Sequence, residues 1–99
     1  MQWATANLQD GVTVAAMAER AFMSPRNFNR RFRAVTGESP RSWLLRQRAL
    51  AAMPLLEEDG RSIEAVARGV GLSPAAFRRR FRETVGTSPA DYRRTFRAF

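Results

Sequence analysis

The sequence predicts an all-α domain of about seven helices, in which one helical unit occurs twice and a connector helix joins the copies. Two observations carry this. Shifting the chain by 49 positions aligns Thr13–Arg48 with Ser62–Arg97 without a gap, and 13 of the 36 pairs are identical. Each copy also carries the same punctuation: Ser24-Pro25, Gly37 and Ser39-Pro40 in the first, Ser73-Pro74, Gly86 and Ser88-Pro89 in the second. Two copies are too few for a solenoid, so the repeat marks a single unit used twice.

In chain order, a first helix is expected near Gln2–Gln9, ended by Gly11. Thr13 and Ser62 then suit N-caps, because their hydroxyls can accept from the free amides of a first helical turn. Behind them Val14, Met17, Ala18 and Ala21, and likewise Ile63, Val66, Ala67 and Val70, fall at the spacing of one buried helical face. The small Ala18 and Ala67 leave room for a close helix crossing. Ser24-Pro25 and Ser73-Pro74 place a capping hydroxyl before a proline at the first helical position, where its missing N–H costs nothing. Gly37 and Gly86 stop these helices, since glycine tolerates the left-handed conformation. A short helix, a tight turn and a longer helix is the helix-turn-helix plan.

From Pro40 towards Glu58 a long connector is expected. Pro54 interrupts its pattern between Trp43 and Leu56. Proline removes the bond to the Leu50 carbonyl and costs roughly 3 kcal/mol in a straight helix, so a kink, or a break and restart, is expected there and would make Pro54 a hinge. One domain over residues 1–99 is expected, divided into a first helix-turn-helix subdomain (1–39), the connector (40–60) and a second subdomain (61–99).

Composition narrows the function. The 99 residues are 44% hydrophobic, enough for a modest core, and no apolar run approaches the roughly 20 residues of a bilayer span. Met1–Asp10 lacks the pattern of a secretion signal, which predicts a cytoplasmic protein with no membrane partner. Cysteine and histidine are both absent, so the usual metal ligands, general bases and strong nucleophiles are missing. Neither an enzyme nor a cofactor or metal site is expected. The net charge is +8, and all 17 basic residues are arginine. Ser24–Arg33 holds Arg26, Arg30, Arg31 and Arg33, and Ser73–Arg82 holds Arg78, Arg79, Arg80 and Arg82, with no acid in either stretch. Positive charge concentrated on two short elements suits a polyanion.

At 100° per residue, Phe28, Phe32 and Val35 share one face of the helix after Ser24, and Arg26, Arg30 and Arg33 lie opposite with Asn29 at their edge. In the second copy Phe77 and Phe81 face inward with Thr84 as a candidate third, while Ala75, Arg79 and Arg82 face outward with Arg78 at the edge. Arg31 and Arg80 flank the Phe stripe and suit an internal salt bridge or a phosphate contact. Arginine can pair bidentately with guanine and asparagine with adenine. The N-terminal part of a recognition helix meets base edges. This favours Arg26, Asn29 and Arg30, then Arg79 with Arg78, as base readers, and Arg33 and Arg82 as phosphate clamps. Ala75 and Ala76 stand where the first copy has Arg26 and Asn27, so the second unit should specify fewer bases.

The motifs resemble the DNA-binding domain of the AraC/XylS family of transcription regulators along nearly the whole chain. The second half carries most of the likeness: Ala67-Arg68-Gly69-Val70-Gly71-Leu72-Ser73, Phe77-Arg78-Arg79-Arg80-Phe81, and Gly86-Thr87-Ser88-Pro89 with Tyr92 and Arg93. The first half, Met23-Ser24-Pro25-Arg26-Asn27-Phe28 with Ser39-Pro40 and Trp43-Leu44, is similar to the subgroup whose N-terminal domain is DJ-1/PfpI-like. The resemblance implies a seven-helix domain whose two recognition helices, about 24–36 and 73–85, enter successive major-groove turns of double-stranded DNA to regulate transcription. It assigns base contacts to Arg26, Asn29, Arg30, Ala75, Ala76 and Arg79. Arg78 joins them from its place on the helix, and Thr13, Arg33, Ser62 and Arg82 are the expected phosphate contacts. The chain is expected to bind as a monomer and to be the C-terminal piece of a longer regulator that dimerises through a preceding domain. RNA polymerase is a compatible second partner, through the acidic stretch Glu57–Asp59. One departure is notable: the family's turns often have glycine where the first unit has Phe22, while Gly71 keeps it in the second. A positive φ at Phe22 would strain the backbone by on the order of 1 kcal/mol.

Overall fold

In a computed structural model, which describes residues 13–58 and 60–97, the repeat unfolds into six helices and no strand among the described residues. They are α1 (Val14–Arg20), α2 (Pro25–Thr36), α3 (Pro40–Glu57), α4 (Ile63–Gly69), α5 (Pro74–Val85) and α6 (Pro89–Arg97). About seven were expected; the helix near Gln2–Gln9, with its stop at Gly11, lies outside the described residues. The chain forms two compact units, Met1–Leu45 and Arg46–Phe99, which divide within α3.

The helix starts follow from the caps. The hydroxyls of Thr13, Ser24, Ser62 and Ser73 accept from the amides of Ala16, Asn27, Ala65 and Ala76 at 3.0–3.2 Å. Ser39 and Ser88 do the same for Ser42 and Asp91 at 3.1 Å. Each hydroxyl satisfies one amide that a helix start leaves without an intrahelical partner. At the other end of α2 and α5, Gly37 and Gly86 adopt φ of 84° and 94°.

The tight turn inside each unit is a Schellman motif. Met23 donates to the Ala18 carbonyl and Phe22 to Glu19, and Leu72 and Gly71 repeat both bonds to Ala67 and Arg68, all at 3.0 Å. The residue at its bend must adopt a positive φ: 81° for Gly71 and 57° for Phe22. Phe22 therefore does carry the strain anticipated for it, and its ring is 97% exposed. Gly71 is constrained a second time, because an added Cβ would lie 1.9 Å from Nη1 of Arg48. That guanidinium is buried and donates to the Val70 carbonyl at 2.8 Å.

The core of the first unit gathers Met17, Ala18, Phe28, Phe32, Trp43 and Leu44. Two expected members are missing. Ala21 is exposed because it caps α1 from beyond its last turn. Val35 is 80% exposed. It lies in the last turn of α2 and lines an open groove with Ala21, Met23, Phe28, Arg31, Phe32 and Thr36, so it keeps the expected face at an open edge of the packing. The second unit buries Ala49, Ala52, Leu56, Val66, Ala67, Val70, Leu72, Phe77 and Phe81, with Thr84 half-buried. The helix assignment runs from Pro40 to Glu57 through Pro54, so of the two forms expected there, a kink or a break and restart, the second does not occur. Pro54 is exposed, on a side where water can serve the Leu50 carbonyl.

Four substitutions test these constraints. Gly37→Ala, with nothing within 4 Å of its added Cβ, should cost about 1 kcal/mol in chemical denaturation from backbone strain alone. Gly71→Ala should cost about 2–4 kcal/mol, because Arg48 must also give up its carbonyl; equal losses would show that Arg48 moves aside freely. Phe22→Gly should gain about 0.5–1 kcal/mol. Pro54→Ala should stabilise by roughly 1–3 kcal/mol, and an unchanged melting temperature would show that α3 has already absorbed the lost bond.

Candidate nucleic-acid interface

Each recognition helix is seated by an aromatic trio. Phe28 and Phe32 lie 5.6 Å apart between ring centroids, and Phe32 meets Trp43 edge-on at 6.0 Å. In the second unit Phe77 and Phe81 lie 5.6 Å apart, and Phe81 meets Tyr92 edge-on at 5.7 Å. Trp43 and Tyr92 are partners under the 49-residue shift, so the repeat preserves the seat as well as the helix. With these rings inward, Arg26, Arg30 and Arg33 on α2, and Arg79 and Arg82 on α5, face out.

Arg26, Asn29, Arg30 and Arg33 are all exposed on α2. Arg30 donates to Oδ1 of Asn27 at 3.3 Å. With Met23, Arg31 and Ala34 these two line an open groove of about 630 Å³, whereas Arg26, Asn29 and Arg33 stand outside that lining. Arg31 is exposed on the flank of the Phe stripe. On α5, Ala75, Arg78, Arg79 and Arg82 are exposed and Ala76 is half-buried. The first four line one groove of about 460 Å³ with Ile63 and the start of α6, Ser88 to Ala90. Arg80 sits half-buried beside the aromatic seat and pairs with Glu83 at 3.6 Å. Thr13 and Ser62 are exposed, but their hydroxyl oxygens already accept from helix amides, which leaves each hydroxyl proton available to an outside acceptor.

Several residues that shape this surface escaped the sequence reading. Glu64, in the first turn of α4, accepts from Nη2 of Arg78 at 2.7 Å. Its own backbone amide, then the Arg78 guanidinium, hold the Glu64 carboxyl below its ordinary value. Arg93 donates from Nε to the Leu56 carbonyl at 2.9 Å and from Nη1 to the Arg61 carbonyl at 2.5 Å. It thus ties α6 to the end of α3. The Tyr92 hydroxyl donates to Oε2 of Glu57 at 2.5 Å. The signals in the sequence were that Tyr92 aligns with Trp43 and that Tyr92 and Arg93 belong to the family motif. Glu57 is thereby spent inside the second unit, and Asp59, from the acidic stretch considered for a protein partner, lies outside the described residues.

The family comparison decides what this surface belongs to. A family model described as a helix-turn-helix domain matches residues 17–95. Among solved structures, the chain is 46% identical to the DNA-binding domain of AdpA, described as the global transcriptional factor and crystallised with a target DNA; TM-score 0.86, covering 98% of this chain and 88% of that one. The chain belongs to the AraC-type helix-turn-helix family. Two further structures share its fold. One is a DNA-binding transcriptional dual regulator from Escherichia coli K-12 (26% identity, TM-score 0.84, 99% of this chain and 88% of that one). The other is a transcriptional regulator with an AraC-type DNA-binding domain from Chromobacterium violaceum (23% identity, TM-score 0.84, 96% and 86%). No curated protein matches the sequence. AraC-type membership accounts for the two basic faces as a repeated device. No helix among the described residues is long and apolar enough to cross a membrane.

The Tyr92–Glu57 bond gives a pH signature. The bond to Glu57, and then burial, raise the Tyr92 pKa above its ordinary value of 10.0. A raised pKa means a contribution that is complete below pH 10 and is lost as pH rises through the folded-state value. Tyr92→Phe should therefore cost about 1 kcal/mol at neutral pH, and the gap to the parent should close on alkaline titration. A gap that persists undiminished would assign the loss to packing.

Proposed function

We propose that the chain binds double-stranded DNA sequence-specifically to regulate transcription, with α2 and α5 reading successive turns of the major groove and α3 as the connector between subdomains 1–39 and 61–99. The observation that carries this is the pair of arginine-bearing faces, each set opposite a buried Phe pair, in a chain 46% identical to a domain crystallised on its target DNA. Arg26, Asn29 and Arg30 read base edges from α2, and Arg78 and Arg79 from α5. Ala75 and Ala76 offer only apolar contact, suited to a thymine methyl. Arg33 and Arg82, a turn further along, clamp phosphates, and the hydroxyls of Thr13 and Ser62 donate to phosphates from the starts of α1 and α4. Because the two reading helices are fused in tandem, a single chain suffices and the site is asymmetric. The protein works in the cytoplasm, on the DNA it regulates.

Selection from random duplexes, followed by competition binding, tests this. Arg30→Ala should lose roughly 1–3 kcal/mol and relax preference at one base pair. Arg33→Ala should weaken all sequences about equally and flatten the salt dependence. With about 6–10 phosphates neutralised, parent affinity should fall on the order of a thousandfold between 50 and 200 mM salt. Selection that returned only palindromes bound by two chains, or no preferred sequence, would refute the reading.

A further inference from the structure

Arg78, which lines the basic groove of the second unit, is held by a carboxylate that the unit's DNA-binding role alone does not call for. Glu64 sits at the start of α4, and Oε1 lies 2.7 Å from Nη2 of Arg78, with the two side chains 46% and 51% exposed. Arg78 lines the same groove as Arg79, Arg82 and Ala75. The matching positions of the first unit are Ala15 and Asn29, so the pair has no equivalent there. A surface shaped only for attraction to phosphate would not keep an acid on it, since a carboxylate at that distance repels the backbone of any DNA sequence.

Resting on the DNA reading above, we propose that Glu64 is a positioning residue for Arg78 and a determinant of the second unit's specificity. Guanidinium has five N–H donors in a rigid fork. Holding one nitrogen on Glu64 leaves the rest of the fork in a defined direction, so Arg78 surrenders less rotamer freedom when it meets the two acceptors of a guanine edge. The same contact offsets the Arg78 charge and keeps it from a phosphate, a contact that carries no sequence information. Glu64 thus trades sequence-indifferent affinity for discrimination. This compensates a unit in which Ala75 and Ala76 replace the polar Arg26 and Asn27 of the first. An acid in the first turn also favours the helix start, but that role acts on stability and leaves base preference untouched.

The test compares the full chain with its Glu64→Gln, Glu64→Ala and Arg78→Ala variants. Each is titrated against the site selected by the parent and against random duplex, from 50 to 200 mM salt, with melting temperatures recorded in parallel. Gln keeps the size and an acceptor oxygen and removes only the charge, so it separates charge from anchoring; Ala removes both. The expected result for Glu64→Gln is about three- to tenfold tighter binding of random duplex. Its log–log salt slope should steepen by about 0.9, as Arg78 gains one phosphate. Base preference should relax at one position of the second half-site, more in Glu64→Ala, with the first half-site unchanged. Arg78→Ala should lose that same preference without the gain on random duplex. Unchanged random binding, slope and preference in both Glu64 variants would overturn the proposal while the parent's own selectivity upholds DNA recognition. A parent that does not separate its selected site from random duplex overturns the DNA reading, and this proposal with it.

Discussion

The rotation of each recognition helix about its own axis is set by two phenylalanines one turn apart. Burying such a ring contributes about 2–3 kcal/mol, and tilted ring pairs add roughly 0.5–1.5 kcal/mol. Phe28 and Phe32, or Phe77 and Phe81, together with the edge of Trp43 or Tyr92, therefore make any other rotation of α2 or α5 costly. Everything presented outward depends on that choice. Side chains two or five positions from a buried Phe cannot also be buried, so the arginines stand on the opposite face.

A second constraint is how near the short helix can come. Ala18 and Ala67 are 1% and 0% exposed, the signature of a crossing that admits a methyl group and little more. The Schellman turn that follows must then reverse the chain in a few residues, which demands a positive φ at one place. In the first unit Phe22 meets this at an energetic cost, and its ring gains no burial in return. In the second unit Gly71 meets it easily, and the space left by its missing side chain is filled by Arg48. Equivalent backbones thus have unequal tolerance at the same turn.

Much of this was legible in the sequence because it is local. Caps, glycine stops and the Phe stripe are read within a few residues, and each appears where its chemistry requires. The readings that failed involve reach and distance. Val35 lies on the expected helical face but ends on an open groove beside Ala21, Phe28 and Phe32; periodicity gives the direction of a face and not what covers it. Pro54 was expected to kink its helix or to break and restart it, and the second of these does not occur. Arg48, Arg93 and Glu64 were missed because their partners lie 14 to 37 residues away. In a chain with 17 arginines, nothing local marks which ones turn inward.

That inward group has a consequence for how the charge of the chain is understood. Arg48 and Arg93 end on backbone carbonyls, where the planar, multiply donating guanidinium serves as a linker between segments. Lysine offers a compact ammonium on a flexible stem and cannot span two carbonyls in that fixed geometry. An arginine that meets a phosphate as a point of charge has no such requirement. The all-arginine composition therefore conceals arginines of different kinds. Those that meet phosphates are interchangeable with lysine and tuned by salt, those that read base edges need the guanidinium fork, and the inward pair is part of the scaffold. The count of 17 arginines includes every kind alike, so it overstates how many cations the surface can offer to a nucleic acid.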